Sequence, residues 1–223
     1  MKAEDAIFSR LEPIVRQALA SNPACHDWEH TLRVVRNARE IAAGEGDADL
    51  AVVECAALLH DIARGQEACR QGKAAGCHAR QGAEIARQIL EEQLECRDRT
   101  FVAAVVHAVA AHRYRRRQDG EAPATLEAKI VYDADKLDSL GAIGIGRAFH
   151  FAGRIGARVH NTAAEALASE EYSPHDSAWR EYLVKLRHLP AAMLTSSGRR
   201  LARKRHRRMA AFFKALGEET GLA

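Results

Sequence analysis

Four residues spread along the sequence have side chains that could bind one divalent cation, namely His30, His60, Asp61 and Asp135. Neutral imidazole and carboxylate are both good ligands for borderline or hard divalent ions. His60 and Asp61 are adjacent and follow an apolar run that begins at Cys55. Adjacent residues of a helix diverge by about 100° around its axis, so this pair can meet one ion only near a helix end.

Each of these candidates also has an ordinary structural interpretation. A histidine that closes a core helix is commonly a capped or hydrogen-bonded side chain without a ligand, and for a lone His-Asp pair this is the more frequent case. The chemistry therefore depends on which elements carry the four residues and on whether those elements converge.

The spacing of apolar residues predicts an all-α chain. They recur mostly three and four positions apart, and β-branched alternation is scarce. His30 shares one helical stripe with Val34, Ala38 and Ile41, which turns it inward. The predicted helices cover about residues 4–20, 27–43, 49–62, 79–94, 98–112 and 125–138, and two or three more complete the chain, the last over about 198–216.

Composition places the chain among ordinary globular proteins. Its 223 residues are 47% hydrophobic and 28% charged, with a net charge of only +3. Five cysteines without a C-x-x-C pair argue for a reducing compartment rather than a disulfide framework. The N-terminus lacks an apolar signal core, and no apolar run reaches the length of a membrane span. We expect one cytoplasmic domain over residues 1–223, with no membrane partner.

In order, the candidates form the pattern H…HD…D, and the segments around them resemble the motifs of a known family. That family is the HD superfamily of metal-dependent phosphohydrolases, in particular its small stand-alone bacterial members, the YedJ-like proteins. The likeness runs from about residue 24 to 213, and the similar motifs lie at residues 26–34, 56–62, 107–112 and 127–137.

The resemblance implies an all-α HD-domain helical bundle in which His30, His60, Asp61 and Asp135 ligate a divalent metal. A mixed set of imidazoles and carboxylates suits Mn²⁺, Mg²⁺, Fe²⁺, Ni²⁺ or Zn²⁺. Four protein ligands leave two octahedral positions, for water and for a phosphate oxygen. Asp61 would act in catalysis by holding metal and nucleophile together, and the further catalytic candidates are Lys136 and Asp138.

Other residues are candidates for a second metal or for substrate. In some HD subfamilies, histidines between the HD pair and the final aspartate bind a second ion, and the histidines in this interval are His78, His107 and His112. Each has an equally good interpretation as a surface or capping histidine. The candidates for binding substrate phosphates are Arg33, Arg64 and Arg113, and those for orienting the metal ligands are Asp27 and Glu29.

The leading interpretation is a metal-dependent phosphohydrolase that uses metal-activated water on a phosphoester or phosphoanhydride of a small substrate, with nucleotides as the best guess. The alternative is a metal-containing binding or scaffold protein that uses the basic segment 199–208 on RNA or another acidic partner. Leu201, Met209 and Phe213 give that segment an apolar stripe, which favours a docked helix with its basic face in water. Nucleic acid is therefore not the expected partner, and monomer and homodimer both stay open.

Overall fold

The computed structural model describes residues 3–20, 22, 26–65, 78–113 and 121–221. Every regular element within these ranges is helical, which confirms the predicted fold class. Most of the predicted loop over 64–77 and of the basic run over 113–117 lies outside the described residues. Among the described helices, none is both long enough and apolar enough to cross a bilayer.

The chain divides into two compact units, Met1–Asp135 and Lys136–Ala223. The single domain over 1–223 stays a prediction. The first unit contains α1 (Ala3–Ala18), α2 (Trp28–Glu45), α3 (Leu50–Leu59), α4 (His78–Gln88) with a π-helical extension (Ile89–Gln93), α5 (Arg99–Ala111) and all but the last two residues of α6 (Leu126–Leu137).

Aspartates begin three of these helices, as expected of residues that accept hydrogen bonds from free backbone N–H groups. The Asp27 carboxylate accepts from the N–H of His30 at 2.9 Å and so begins α2. Asp49 and Asp98 cap α3 and α5 in the same way. The caps at Asp27 and Asp98 agree with the helix starts predicted at about residues 27 and 98, and the cap at Asp27 places His30 in the first turn of α2.

The central element of the first unit is α3, which packs against α1, α2 and α5. Its sequence is apolar on all sides, and seven of its ten residues, from Val52 and Val53 to Leu59, are buried. The helix ends at Leu59, three residues earlier than predicted, and His60 is its C-cap. Asp61 therefore lies in the turn after the helix, where its side chain can share a centre with that of His60.

The second unit is built from shorter pieces than the sequence predicted. It contains α7 (Gly141–Arg154), α8 (Ala163–Ala168), α9 (Ala178–Val184), a 3₁₀ turn (Leu186–His188), α10 (Leu189–Ala192) and α11 (Ser196–Thr220). Helices of four to seven residues span two turns at most and leave too little periodicity to be read from sequence. The long α7 and α11 pack against each other.

Gly144 in α7 has no room for a side chain, because the Ser139 backbone just before the helix and Met209 of α11 lie against it. A Cβ atom there would lie 2.3 Å from the Ser139 carbonyl oxygen and 3.0 Å from Met209 Cε, whereas a Cβ at Gly146 would meet nothing within 4 Å. We expect Gly144→Ala to lower the free energy of unfolding by about 2 kcal/mol, because the backbone must move. Gly146→Ala, the matched control, should raise it by about 0.5–1 kcal/mol. Urea unfolding measures both, and equal effects would contradict the packing argument.

Candidate metal centre

Six polar side chains of the first unit lie around the Asp61 carboxylate, and we call these seven residues together the Asp61 cluster. Its members are His26, His30, His60, Asp61, His78, His112 and Asp135. Most are buried, although Asp135 and His26 keep side-chain exposures of 16% and 26%. Each member comes from one of six places along the chain, which are the loop before α2, α2 itself, the end of α3, the start of α4, the end of α5 and α6.

One side of the cluster brings together the four residues of the H…HD…D pattern. The Nε2 atoms of His30 and His60 are 3.3 Å apart. Asp61 Oδ2 lies 3.8 Å from His30 Nε2 and 3.6 Å from His60 Nε2. Asp135 Oδ1 lies 3.6 Å from His30 Nε2. His30 Nε2, His60 Nε2 and Asp61 Oδ2 thus surround one small volume, and Asp135 Oδ1 lies beside His30.

The other carboxylate oxygen of Asp61 faces a second group. Asp61 Oδ1 lies 3.5 Å from His78 Nε2 and 3.5 Å from His112 Nε2. The two oxygens of the Asp61 carboxylate therefore face two different sets of imidazoles. His78 and His112 were both predicted as candidates for a second metal position.

Backbone carbonyls determine which nitrogen of two imidazoles carries the proton. His60 Nδ1 lies 2.7 Å from the Ala57 carbonyl oxygen, and His112 Nδ1 lies 2.7 Å from that of Val109. A carbonyl oxygen only accepts, so each Nδ1–H donates. In the neutral ring, Nε2 then presents a lone pair toward Asp61, which is the form that binds metals.

Burial keeps several of these imidazoles neutral. It lowers the pKa of His60 and of His26 to about 4 and that of His78 to about 2. Burial alone would raise the pKa of Asp61, but the surrounding imidazoles, first His60 and then His26, hold it well below its usual value. At neutral pH His26, His60 and His78 are therefore neutral and the Asp61 carboxylate is ionised, and metal binding requires these protonation states of its ligands.

The donor set and its spacing fit a divalent cation. Ligand atoms about 2.1 Å from one ion lie about 3.0 Å apart when cis and about 4.2 Å apart when trans in an octahedron. The separations around His30 and His60, from 3.3 to 3.8 Å, fall between those limits. Imidazole and carboxylate ligands suit Zn²⁺, Mn²⁺, Fe²⁺ or Ni²⁺ and do not choose among them.

His26 and Arg64 form a hydrogen-bonded pair beside Asp61. The sequence alone had given His26 no role. His26 Nδ1 donates to Asp61 Oδ2 at 2.8 Å, and its Nε2 accepts from Arg64 Nη2 at 3.0 Å. Arg64 Nη1 also donates to His78 Nδ1 at 2.9 Å. The guanidinium thus lies against both sides of the cluster. The available signal for His26 was its place at the start of the motif over residues 26–34.

The remaining candidates lie elsewhere or in other roles. His107 lies outside the Asp61 cluster, since its Nδ1 bonds the Glu121 carboxylate and its Nε2 accepts from the N–H of Ala124 at 3.1 Å. Asp27 caps α2, as described above, and Glu29 is exposed. Their predicted roles at the ligands stay predictions.

Two catalytic candidates belong to the second unit. Lys136 is buried, and the buried Asp138 accepts a hydrogen bond from Arg147 Nη1 at 2.8 Å. The sequence predicted Asp138 within the helix over residues 125–138. In the structure α6 ends at Leu137, and Asp138 follows it. Among the substrate candidates, Arg33 and Arg113 are half-buried. The roles of all four stay predictions.

The buried imidazoles should make the stability of the metal-free protein sensitive to acid. Since the pKa of His60 falls from 6.5 to about 4 on folding, the unfolded chain binds more protons between these values. The free energy of unfolding must therefore rise with pH across that window and fall as the pH drops from about 6.5 toward about 4. Urea unfolding in chelator at several pH values measures the slope.

A variant isolates the contribution of His60. The slope of the unfolding free energy against pH reports how many protons the chain takes up on unfolding. His60→Gln should lower that number by up to one, whereas His160→Gln, at an exposed histidine, should leave the slope unchanged. Equal slopes in wild type and His60→Gln would contradict the assignment of a buried, neutral His60.

Comparisons with known proteins match this architecture. The HD domain family model matches residues 27–140. The uncharacterised protein YpgQ of Bacillus subtilis is 33% identical over 208 residues, which is 92% of this chain and 89% of YpgQ. Ribonuclease Y of Chloroflexus aurantiacus is 38% identical over 109 residues, 49% of this chain but only 18% of that protein.

Solved structures agree over nearly the whole chain. The crystal structure of Bacillus subtilis YpgQ in complex with ADP has a TM-score of 0.70 and 28% identity, covering 97% of this chain and 96% of that one. The crystal structure of a predicted HD superfamily hydrolase from an uncultured Thermotogales bacterium has a TM-score of 0.66 and 30% identity, covering 95% of this chain and 91% of that one. The chain therefore belongs to the HD domain family, among the HD-superfamily hydrolases.

Proposed function

We propose that this protein is a divalent-metal-dependent phosphohydrolase that cleaves a phosphoester or phosphoanhydride of a nucleotide. The observation that carries the proposal is the convergence of imidazole lone pairs on an ionised carboxylate. The Nε2 lone pairs of His60 and His112 face Asp61 oxygens at 3.6 and 3.5 Å. Two acceptors at such a distance repel each other, and a cation between them would turn that repulsion into attraction.

The chemistry expected of the site follows from its ligands. When bound, a divalent cation supplies Lewis acidity toward water and toward a phosphoryl oxygen, which is what phosphoryl transfer needs most. Asp61 would hold one or two ions through its two oxygens and accept the hydrogen bond of His26. His30, His60 and Asp135 would complete the first position, and His78 and His112 the second.

Among the described residues of the first unit, Arg64 is well placed to bind a substrate phosphate, because its guanidinium contacts His26 and His78. Its guanidinium donates to His78 Nδ1, so this nitrogen acts as an acceptor and carries no proton. The proton of the neutral ring is then on Nε2, and a protonated Nε2 cannot bind an ion. Binding of an ion by His78 would therefore require Arg64 to leave Nδ1. A released guanidinium beside the cations would be free to make charge-assisted bonds to phosphate oxygens.

The choice of a nucleotide rests on the comparison with YpgQ, whose crystal structure holds ADP. YpgQ matches this chain over nearly its full length, so a shared ligand class is the simplest expectation. Residues 26–34 and 56–62, which carry most of the Asp61 cluster, resemble family motifs, and this supports a shared reaction.

A release assay tests the function. Purified protein is incubated with nucleoside mono-, di- and triphosphates in Mn²⁺, Mg²⁺, Co²⁺, Ni²⁺ or chelator, and orthophosphate and pyrophosphate are measured separately. We expect metal-dependent release of one product that stops in chelator. Orthophosphate alone from a monophosphate would assign monoester cleavage, whereas pyrophosphate from a triphosphate would assign anhydride cleavage.

The competing hypothesis is a metal-containing binding protein without catalysis. It predicts that the protein binds metal and nucleotide in calorimetry but releases neither product with any ion. That combination of results would overturn the proposed phosphohydrolase.

A further inference from the structure

The terminal helix α11 has a strongly basic surface that the metal centre does not use. The helix contains eight lysines and arginines but only two acidic residues, Glu218 and Glu219, and Glu218 pairs with Lys214 at 3.4 Å near its C-terminal end. Leu201, Met209 and Phe213 are buried, so the apolar stripe is already packed within the second unit. The polar side of the helix therefore carries an excess of positive charge that its own residues do not balance.

Part of this surface forms an open groove, which we call the α11 groove. It has a volume of about 440 Å³ and is lined by Ser196, Arg199, Arg200, Arg203, Lys204 and Arg207. Arg199 is half-buried and donates to the Met193 carbonyl oxygen at 3.0 Å, which fixes one end of the groove. The four other basic residues of the groove are exposed.

These four exposed residues make no ion pair or hydrogen bond to the part of the chain that the structure describes. Arg199, Arg203 and Arg207 recur every four residues, so positive charges repeat at intervals of about 6 Å along the helix. A regular row of cations of this kind fits a polyanion whose charges also repeat, and a phosphodiester backbone is such a polyanion.

We propose that the α11 groove binds the phosphate backbone of a double-stranded nucleic acid without reading its sequence. The groove contains no aromatic side chain on which an unpaired base could stack, which disfavours a single strand. Duplexes carry the denser charge, about one per 1.7 Å of axis, and so gain most from backbone contacts alone.

A membrane surface fits the same charge less well. Helices that lie on a bilayer bury an apolar face in the lipid while the basic face points to headgroups. The apolar face of α11 is used within the protein through Leu201, Met209 and Phe213, and the partly exposed Phe212 also packs edge-on against Phe149. Between Arg200 and Arg208 its exposed residues are all basic.

The test is fluorescence anisotropy with the full-length protein and a labelled 20-base-pair DNA duplex, at 50 to 300 mM salt. The matched probe is the single strand of the same length, and the matched surface is a vesicle of anionic and neutral phospholipid. We expect duplex binding that weakens steeply with salt, in the range of about 10⁻⁴ to 10⁻⁶ M near physiological salt. Neither nucleotide nor added metal is needed, so the result is independent of the proposed hydrolysis.

Two variants with the same change of charge locate the site. The groove triple combines Arg200→Gln, Arg203→Gln and Arg207→Gln. It should weaken duplex binding by about 30-fold at 100 mM salt and reduce the slope of log affinity against log salt concentration by about 2 to 3. The control triple, Arg36→Gln, Arg97→Gln and Arg99→Gln, changes exposed arginines of the first unit and should weaken binding less than about 3-fold.

Several outcomes would overturn the proposal. One is an equal loss of duplex affinity in the groove triple and the control triple, and another is that the wild type does not bind the duplex at 50 mM salt. The proposal would also be wrong if the protein bound the single strand more tightly than the duplex, or bound only the vesicles. Circular dichroism of each triple checks that it folds. A groove variant that keeps wild-type helicity and metal-dependent product release while losing duplex binding supports it.

Discussion

Asp61→Asn is expected to abolish both metal retention and hydrolysis. The carboxylate contacts both groups of imidazoles, so the substitution removes the one negative charge shared by both cation positions. Loss of groups outside the ligand set typically costs about 10- to 100-fold in affinity or activity, so loss of a bridging ligand should cost on the order of 1,000-fold or more. Elemental analysis of the purified protein and the release assay measure the two effects.

Asp47→Asn is the matched control, because Asp47 is an exposed aspartate between α2 and α3 and touches no member of the Asp61 cluster. It should keep wild-type metal content and turnover. Full activity in Asp61→Asn would refute the assignment of the metal centre. Thermal unfolding in chelator separates loss of metal from loss of fold, since the metal-free wild type is the proper reference.

His112→Ala is expected to lower metal content from two ions to one ion per chain and to reduce turnover on the order of 100-fold. His112 belongs to the group on the Oδ1 side of Asp61, whereas His30, His60 and Asp135 lie on the other side. The first position should therefore keep its ligands in this variant. Elemental analysis after dialysis, together with titration calorimetry, measures the stoichiometry.

His107→Ala provides a control on the same helix, five residues away. Its ring nitrogens bond the segment before α6 and lie outside the Asp61 cluster, so metal content should stay at the wild-type value. A wild type that holds a single ion, or a His112→Ala variant that still holds two, would contradict a second metal position. If His107→Ala lost one ion instead, the assignment of His112 to the second metal position would be wrong.

Much of the first unit was predictable because its signals are local. Asp27 and Asp98 accept hydrogen bonds from backbone groups two or three residues ahead, so a capping preference read from sequence applied directly. The stripe that holds His30 and Val34 predicted an inward-facing histidine, and both are buried. The H…HD…D pattern predicted a shared metal site for four residues; His30, His60 and Asp61 lie within 3.8 Å of one another and Asp135 lies 3.6 Å from His30, while their role as metal ligands stays a prediction.

Other features depended on contacts that local sequence does not contain. The end of α3 at Leu59 and the buried position of Asp133 could not be read from helical propensity. His107 and His112 lie on one helix with similar neighbours, yet only His112 reaches Asp61. Five residues of helix rotate the second side chain by about 140° from the first, and packing of α5 decides which of the two points inward.

By itself, the sequence determined the helical class, most helix starts in the first unit and the identity of the ligand types, since hydrophobic period, capping and side-chain chemistry are local properties. Only the tertiary structure decided that Asp61 divides its two oxygens between two groups of imidazoles, that His26 and Arg64 join them, and that the basic face of α11 forms a groove. Those outcomes depend on distances between residues remote in sequence, and only packing of the helices determines such distances.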